Sequence, residues 1–153
     1  AVAGLVAITP GCGFVTTMSA VAIGMIAGAV CSFAVSIKFK FGFDDALDVV
    51  GVHFVGGLVG SLLIGFFADP KGFGLDFKAG LFFGGGVGLL GEQLLANGVT
   101  IVFSFIVTFA IAKALDATIG LRVSPEVESE GLDVVEHAET AYNYGERAMG
   151  RAL

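Results

Sequence analysis

Long runs without charge alternate with short stretches where charge collects. Residues 1–37 contain no Asp, Glu, Lys or Arg, and neither do residues 49–68 or 94–112. Uncharged apolar runs of about 18 residues or more point to bilayer spans. Transmembrane helices are therefore predicted over residues 16–37, 46–67 and 90–119. Helix is the economical choice, because a span must satisfy its own backbone hydrogen bonds and no repeated strands of barrel length occur. The predicted fold class is all-α, a polytopic membrane protein.

The connecting segments are shorter and less regular. AVAGLVAIT, residues 1–9, is too short to span alone and stops at Pro10 and Gly11. It is expected to be the end of a preceding transmembrane helix, a short re-entrant piece being the alternative. No basic region with a cleavage site precedes it, so a signal peptide is not expected and the chain opens as if cut from a longer one. Residues 69–88, with DPKGFGLDF and then LFFGGGVG, read as a Gly-rich loop that returns into the protein before the last span. Its three consecutive glycines suit close packing on a neighbouring backbone or a bend beside a conduction route. The last span is long enough to tilt or project, which puts Lys113 and Asp116 near an interface.

Small residues recur four apart. Ala20, Gly24, Gly28 and Ser32 form one stripe, and His53, Gly57, Ser61 and Gly65 form another beside the Gly56/Gly60 pair. Such stripes let helix backbones approach closely in lipid. On the second helix the stripe also leaves space beside the histidine.

Composition agrees with the pattern. The 153 residues are 56% hydrophobic and 14% charged, with a net charge of −6, against about 25% charged residues in ordinary soluble domains. The basic residues are scattered, so no nucleic-acid partner is expected. Cys12 and Cys31 lack zinc spacing and read as small apolar fillers without a disulfide. Lys38, Lys40, Lys113 and Arg122 fall near one face and Lys71 and Lys78 near the other, which places the C-terminus in the cytoplasm of a multi-pass cell-membrane protein.

Residues 120–153 form a cytoplasmic tail. It carries Glu126, Glu128, Glu130, Asp133, Glu136, Glu139 and Glu146, half of the 14 acidic residues, with apolar positions between them. Ser124 followed by Pro125 predicts the start of a short helix. The tail serves either as a soluble membrane stop or as a segment that docks on the bundle or a neighbouring subunit.

His53 is the chemical anomaly. Asp44, Asp45 and Asp48 precede it and suit capping of a helix N-terminus, with Asp44 as the expected cap. A helix from Asp44 to Ala68 would place His53 within about 5 Å of its midpoint. A neutral imidazole at that depth needs hydrogen-bond partners. An interhelical tie and a role lining a permeation route both satisfy this. One histidine holds no metal and no nucleophile arrangement is present, so no metal, cofactor or enzyme activity is expected.

Three quoted stretches carry a specific resemblance. AGLVAITPGCGFV, DDALDVVGVHFVGGLVGSLLIGFFA and GLRVSPEVESEGLDVVEHAETAY resemble the C-terminal part of a subunit of the ammonium transporter family, the Amt/Rh class. The resemblance implies an ammonium or ammonia transporter in the lipid bilayer, a homotrimer with one narrow apolar pore per subunit between inverted halves. It implies that His53 is the second of twin pore histidines and that Val49 is an apolar wall position. The first histidine, the external recruitment site and its phenylalanine gate belong to the missing N-terminal part, so this chain corresponds to roughly the last third of a subunit. For the tail it implies docking through Arg122, Glu130, Gly131, Asp133, His137, Glu139 and Tyr142, communication between subunits, and a cytoplasmic face where a PII-type regulatory protein plugs the pore. The family's H-G-E reads His137-Ala138-Glu139 here, which puts alanine at a turn where glycine is usual. The alternative is a helix-packing or assembly segment without transport activity of its own.

Overall fold

The computed structural model describes residues 1–42 and 44–140. The chain divides into two compact units, Ala1–Ser104 and the residues from Phe105 onward.

The first unit opens with α1 (Val2–Ile8), which tightens into a 3-10 turn over Thr9–Gly11 with Pro10 inside it. Thr16 begins α2 (Thr17–Phe41) by accepting the amide of Ser19, and α2 stops at Gly42 in the left-handed region, φ 67°. Residues 44–48 are not helical, and after them the chain makes one π-helical turn, Val49–Phe54, that runs directly into α3 (Val55–Phe67). A short helix α4 (Pro70–Phe73), capped by the Asp69 carboxylate, and a 3-10 turn at Leu81–Phe83 lead to α5 (Gly88–Thr118). Thr17–Phe41, Val49–Phe67 and Gly88–Thr118 are long and apolar enough to cross a membrane. α5 has 31 residues, a length of about 46 Å at 1.5 Å per residue. That exceeds a hydrocarbon core of about 30 Å.

The core of this unit is Ala7, Val15, Ile23 and Ala27, with Ile8, Ala20, Val59, Leu63 and Phe67 packed against it. Small residues set the spacing. A β-carbon on Gly60 would overlap the Ala7 carbonyl, so α1 and α3 approach only because glycine stands there. Gly56 lies between the Cys31 sulfur and Val6. The predicted Gly56/Gly60 pair is the tight seam of α3 against α1, and the His53/Gly57/Ser61/Gly65 stripe divides: Gly65 is pressed on Leu90 Cα, while the space beside Gly57 is open among the described residues. On α2 the buried row is Ser19, Ile23, Ala27 and Cys31, one residue before the predicted stripe, and Ser32 is exposed. The difference follows from packing: Ile23 fills volume that a row of small residues would leave empty. Cys12 is exposed and so does not act as a filler, while Cys31 does.

Residues 74–87 fold onto the end of α3. The amide of Gly80 donates to the Ala68 carbonyl at 2.8 Å, and the Phe82 ring meets Phe66 and Phe67 at centroid distances of 5.6 and 5.2 Å. Gly85 sits against the Ala79 carbonyl with no room for a side chain, which is the close-packing alternative for the triglycine.

The second unit holds the latter part of α5, then α6 (Pro125–Glu130) and α7 (Leu132–His137). Ser124 caps α6 by accepting the Val127 amide, with Pro125 at its first turn, as the sequence predicts. The one expected tail helix is two, because Gly131 takes φ 114° between them.

Candidate functional site

The histidine-bearing helix starts later than its sequence suggests. Asp48 has φ 55°, a left-handed conformation that cannot lie inside a right-handed helix, so the helix begins at Val49 rather than at residue 46 or Asp44. Capping comes from Asp45, whose Oδ1 accepts the Val49 amide at 2.7 Å and Oδ2 the Val50 amide at 2.9 Å. A carboxylate there also meets the positive end of the helix dipole. Asp48 takes a different role. Lys38, in the last turn of α2, donates from Nζ to Asp48 Oδ1 at 2.5 Å and to the Asp45 backbone carbonyl at 2.7 Å.

His53 follows one turn after Val49. The middle of Val49–Phe67 is Leu58, so His53 lies about 7 Å from it along the axis. That is farther than a helix starting at Asp44 would place it. Both His53 and Val49 are exposed within this chain, and Gly57 leaves the adjacent turn open. The other side of the same turn is closed: a β-carbon on Gly51 would meet Val35 Cα at 2.9 Å, and the Cys31 thiol faces the Val52 carbonyl at 4.0 Å. One side of the turn is locked against α2 while the side carrying His53 faces away from the described packing.

Two turns beyond the histidine a polar cluster ties α3 to α5. The Ser61 hydroxyl donates to Gln93 Oε1 at 2.8 Å and accepts from Asn97 Nδ2 at 2.9 Å, and Asn97 also donates to the Gln93 carbonyl at 2.7 Å. A cavity of about 300 Å³ lined by Phe14, Ser61, Phe77, Lys78 and Gln93 adjoins it. Sequence reasoning passed over Gln93 and Asn97, although two amides four apart in an apolar run are the signal for such a tie.

The tail residues are partly brought together. Arg122 grips Glu128 with two bonds, Nε to Oε1 at 2.6 Å and Nη2 to Oε2 at 3.2 Å. That hydrogen bonding holds the Glu128 carboxyl below the usual range, and bonds to its own backbone and to Ser124 do the same for Glu126. Glu128 was absent from the predicted docking set, though an arginine six residues before it marks the pair. Asp133 accepts the Glu139 amide on its backbone oxygen at 3.0 Å, and His137 closes α7. Ala138 adopts φ 53°, the left-handed conformation for which glycine is usual. Glu130 ends α6 on the exposed surface, and Tyr142 lies outside the described residues. Leu132, Val134 and Val135 are exposed, at 49%, 42% and 42%.

Among the described residues no cluster of His, Cys, Asp and Glu has the makings of a metal site. Comparison with known proteins places this architecture among relatives. The profile described as the Ammonium Transporter Family matches residues 1–142. An ammonium transporter of Mycobacterium tuberculosis is 51% identical over 147 residues, covering 94% of this chain and 31% of that protein. Ammonium transporter Amt1 of Archaeoglobus fulgidus is 46% identical over 142 residues, covering 93% and 35%. The crystal structure of Candida albicans Mep2 superposes with a TM-score of 0.75 at 31% identity, covering 90% of this chain and 32% of that one. The chain thus spans about a third of the length of the relatives it matches.

Proposed function

Because this chain belongs to the ammonium transporter family, a family of membrane transporters rather than enzymes, we propose that it forms the C-terminal membrane segment of an ammonium or ammonia transporter subunit. His53 lines the conduction route with Val49 one turn before it. The observation that carries this reading is the asymmetry of the turn: its Gly51 side is pressed on Val35, while His53 and Gly57 face open space. An interhelical tie is the competing role for the histidine. Among the described residues that role falls to Ser61, Gln93 and Asn97, and the imidazole has no hydrogen-bond partner.

The chemistry follows from desolvation. An alkali cation entering an apolar constriction loses its water and gains little, whereas ammonium can give up its proton and cross as neutral ammonia. An imidazole beside the route offers a donor and an acceptor to that passing species. A second histidine and the outer recruitment site come from the N-terminal part of the subunit, and the subunit assembles as a homotrimer. The acidic tail lies in the cytoplasm, where its exposed Leu132, Val134 and Val135 dock on the bundle or a neighbouring subunit and a PII-type protein binds.

The test is methylammonium uptake and ion selectivity of the complete subunit with His53→Ala. Uptake is expected to fall or potassium to be admitted. Unchanged uptake, conductance and selectivity would overturn the pore role and favour a packing segment.

A further inference from the structure

We propose that Lys38 is a positioning residue for His53, holding the π-helical turn in the geometry that aims the imidazole at the route; this rests on the pore role given to His53 above. α2 meets the turn at three successive points of one face. Cys31 faces the Val52 carbonyl, Val35 lies against Gly51, and Lys38 reaches Asp45 and Asp48. The first two contacts are apolar or weak. Only the third can fix the direction of the chain.

Lys38 is suited to that work. Its side chain is 15% exposed, so its ammonium has little water and depends on the partners it finds. Two of its three N–H groups go to opposite ends of the Asp45–Asp48 segment, one to a backbone carbonyl and one to a carboxylate. The segment is thereby held as a short arch. Within that arch Asp48 keeps φ 55°, a left-handed conformation that aspartate adopts more readily than most residues with a β-carbon but that is still held here by its contacts. The same arch aims the Asp45 carboxylate at the Val49 and Val50 amides.

The consequence reaches His53 through helix register. A π-helical turn contains more residues than an α-helical one, and such turns persist where surrounding contacts support them. Without Lys38 the arch relaxes, Asp48 leaves the left-handed region, and the turn reverts toward α geometry. Each residue of an α-helix turns the chain by about 100°. Removal of the extra residue therefore swings Val49 and the residues before it around the axis relative to α3 and loosens the turn that carries His53. The imidazole keeps its chemistry and loses its aim.

The experiment uses the complete subunit with Lys38→Met, Lys38→Arg and His53→Ala, each read by ammonium-over-potassium selectivity and by hydrogen exchange of the Val49–Phe54 amides. Lys38→Met is expected to lose about tenfold or more in selectivity, the scale on which misplaced supporting groups act. Its Val49–Phe54 amides exchange faster, while those of Gly60–Gly65 do not. Lys38→Arg retains two donors and recovers both readouts. Asp48→Asn, which tolerates the left-handed conformation but lacks the charge, gives a partial loss and serves where Lys38→Met fails to assemble. Unchanged selectivity together with unchanged exchange in Lys38→Met, or in Asp48→Asn in its place, overturns the proposal. So does faster exchange spread over all of α3, which marks a general loss of packing. If His53→Ala leaves selectivity intact, the pore reading falls on its own, and the exchange data still judge whether Lys38 holds the turn.

Discussion

The Asp45 carboxylate receives the Val49 amide on one oxygen at 2.7 Å and the Val50 amide on the other at 2.9 Å, so a single side chain closes the start of the histidine-bearing helix. Loss of a helix cap costs about 1–2 kcal/mol. Asp45→Ala is expected to destabilise the protein by that amount in thermal unfolding in detergent. Asp45→Asn, which keeps one acceptor oxygen, should cost less. Equal stability of Asp45→Ala and the parent would show that the cap is idle.

Gly60 and Gly57 make a controlled pair. They lie three residues apart on α3, one against the Ala7 carbonyl and one beside open space. Gly60→Ala forces the α1 and α3 backbones apart and is expected to cost about 1–3 kcal/mol or more, as overpacked positions do. Gly57→Ala should lie within about 0.5 kcal/mol of the parent in the same unfolding measurement. Its effect, if any, belongs to permeation.

Ala138 holds φ 53° where it ends α7. A left-handed residue with a β-carbon costs about 1–2 kcal/mol. Ala138→Gly is therefore expected to slow hydrogen exchange at the Glu139 amide, which donates to Asp133 across this turn. Faster exchange would mean that the added backbone freedom of glycine outweighs the relieved strain.

The Arg122–Glu128 pair sets a pH dependence in the tail. Glu128 has its folded-state carboxyl lowered by the hydrogen bond to Arg122. Its contribution is present above the ordinary carboxylate range and is lost as pH falls through the lowered value. The pairing should survive mild acidification and disappear only in stronger acid, with salt weakening it because both groups are exposed. Carboxyl chemical shifts of Glu128 check this, and Arg122→Gln should move the transition to higher pH. An unchanged transition would show that arginine does not hold the carboxylate.

The candidate site was legible in part. His53 stands out because a lone histidine in an uncharged run is rare whatever the fold, and the three aspartates before it mark a helix start. Which aspartate caps was not legible. Asp44, Asp45 and Asp48 have the same chemistry, and only the placement of residues 44–48 beside Lys38 decides that Asp45 reaches the amides while Asp48 turns to Lys38. Lys38 itself counted in the sequence only as a positive charge at a helix end. Its partners lie seven and ten residues away across a connection whose shape no local pattern records.

The sequence by itself determined the medium and the number of long apolar helices, because hydropathy adds along the chain and needs no partner to be counted. It also marked Ser124 as a cap, since that depends on immediate neighbours, whereas the turn at Ala138 stood out only through the resemblance to the family's H-G-E pattern. Tertiary structure alone decided which face of each helix is closed. The seam on α2 shifted from Ala20, Gly24, Gly28 and Ser32 to Ser19, Ile23, Ala27 and Cys31, and of the small residues predicted on α3 only Gly56, Gly60 and Gly65 are buried while Gly57 stays beside open space. The physical reason is that small residues permit close approach on any face they occupy. The packed face is chosen by the neighbouring backbone, as the Ala7 carbonyl chooses Gly60 and Val35 chooses Gly51, and that choice leaves His53 facing outward.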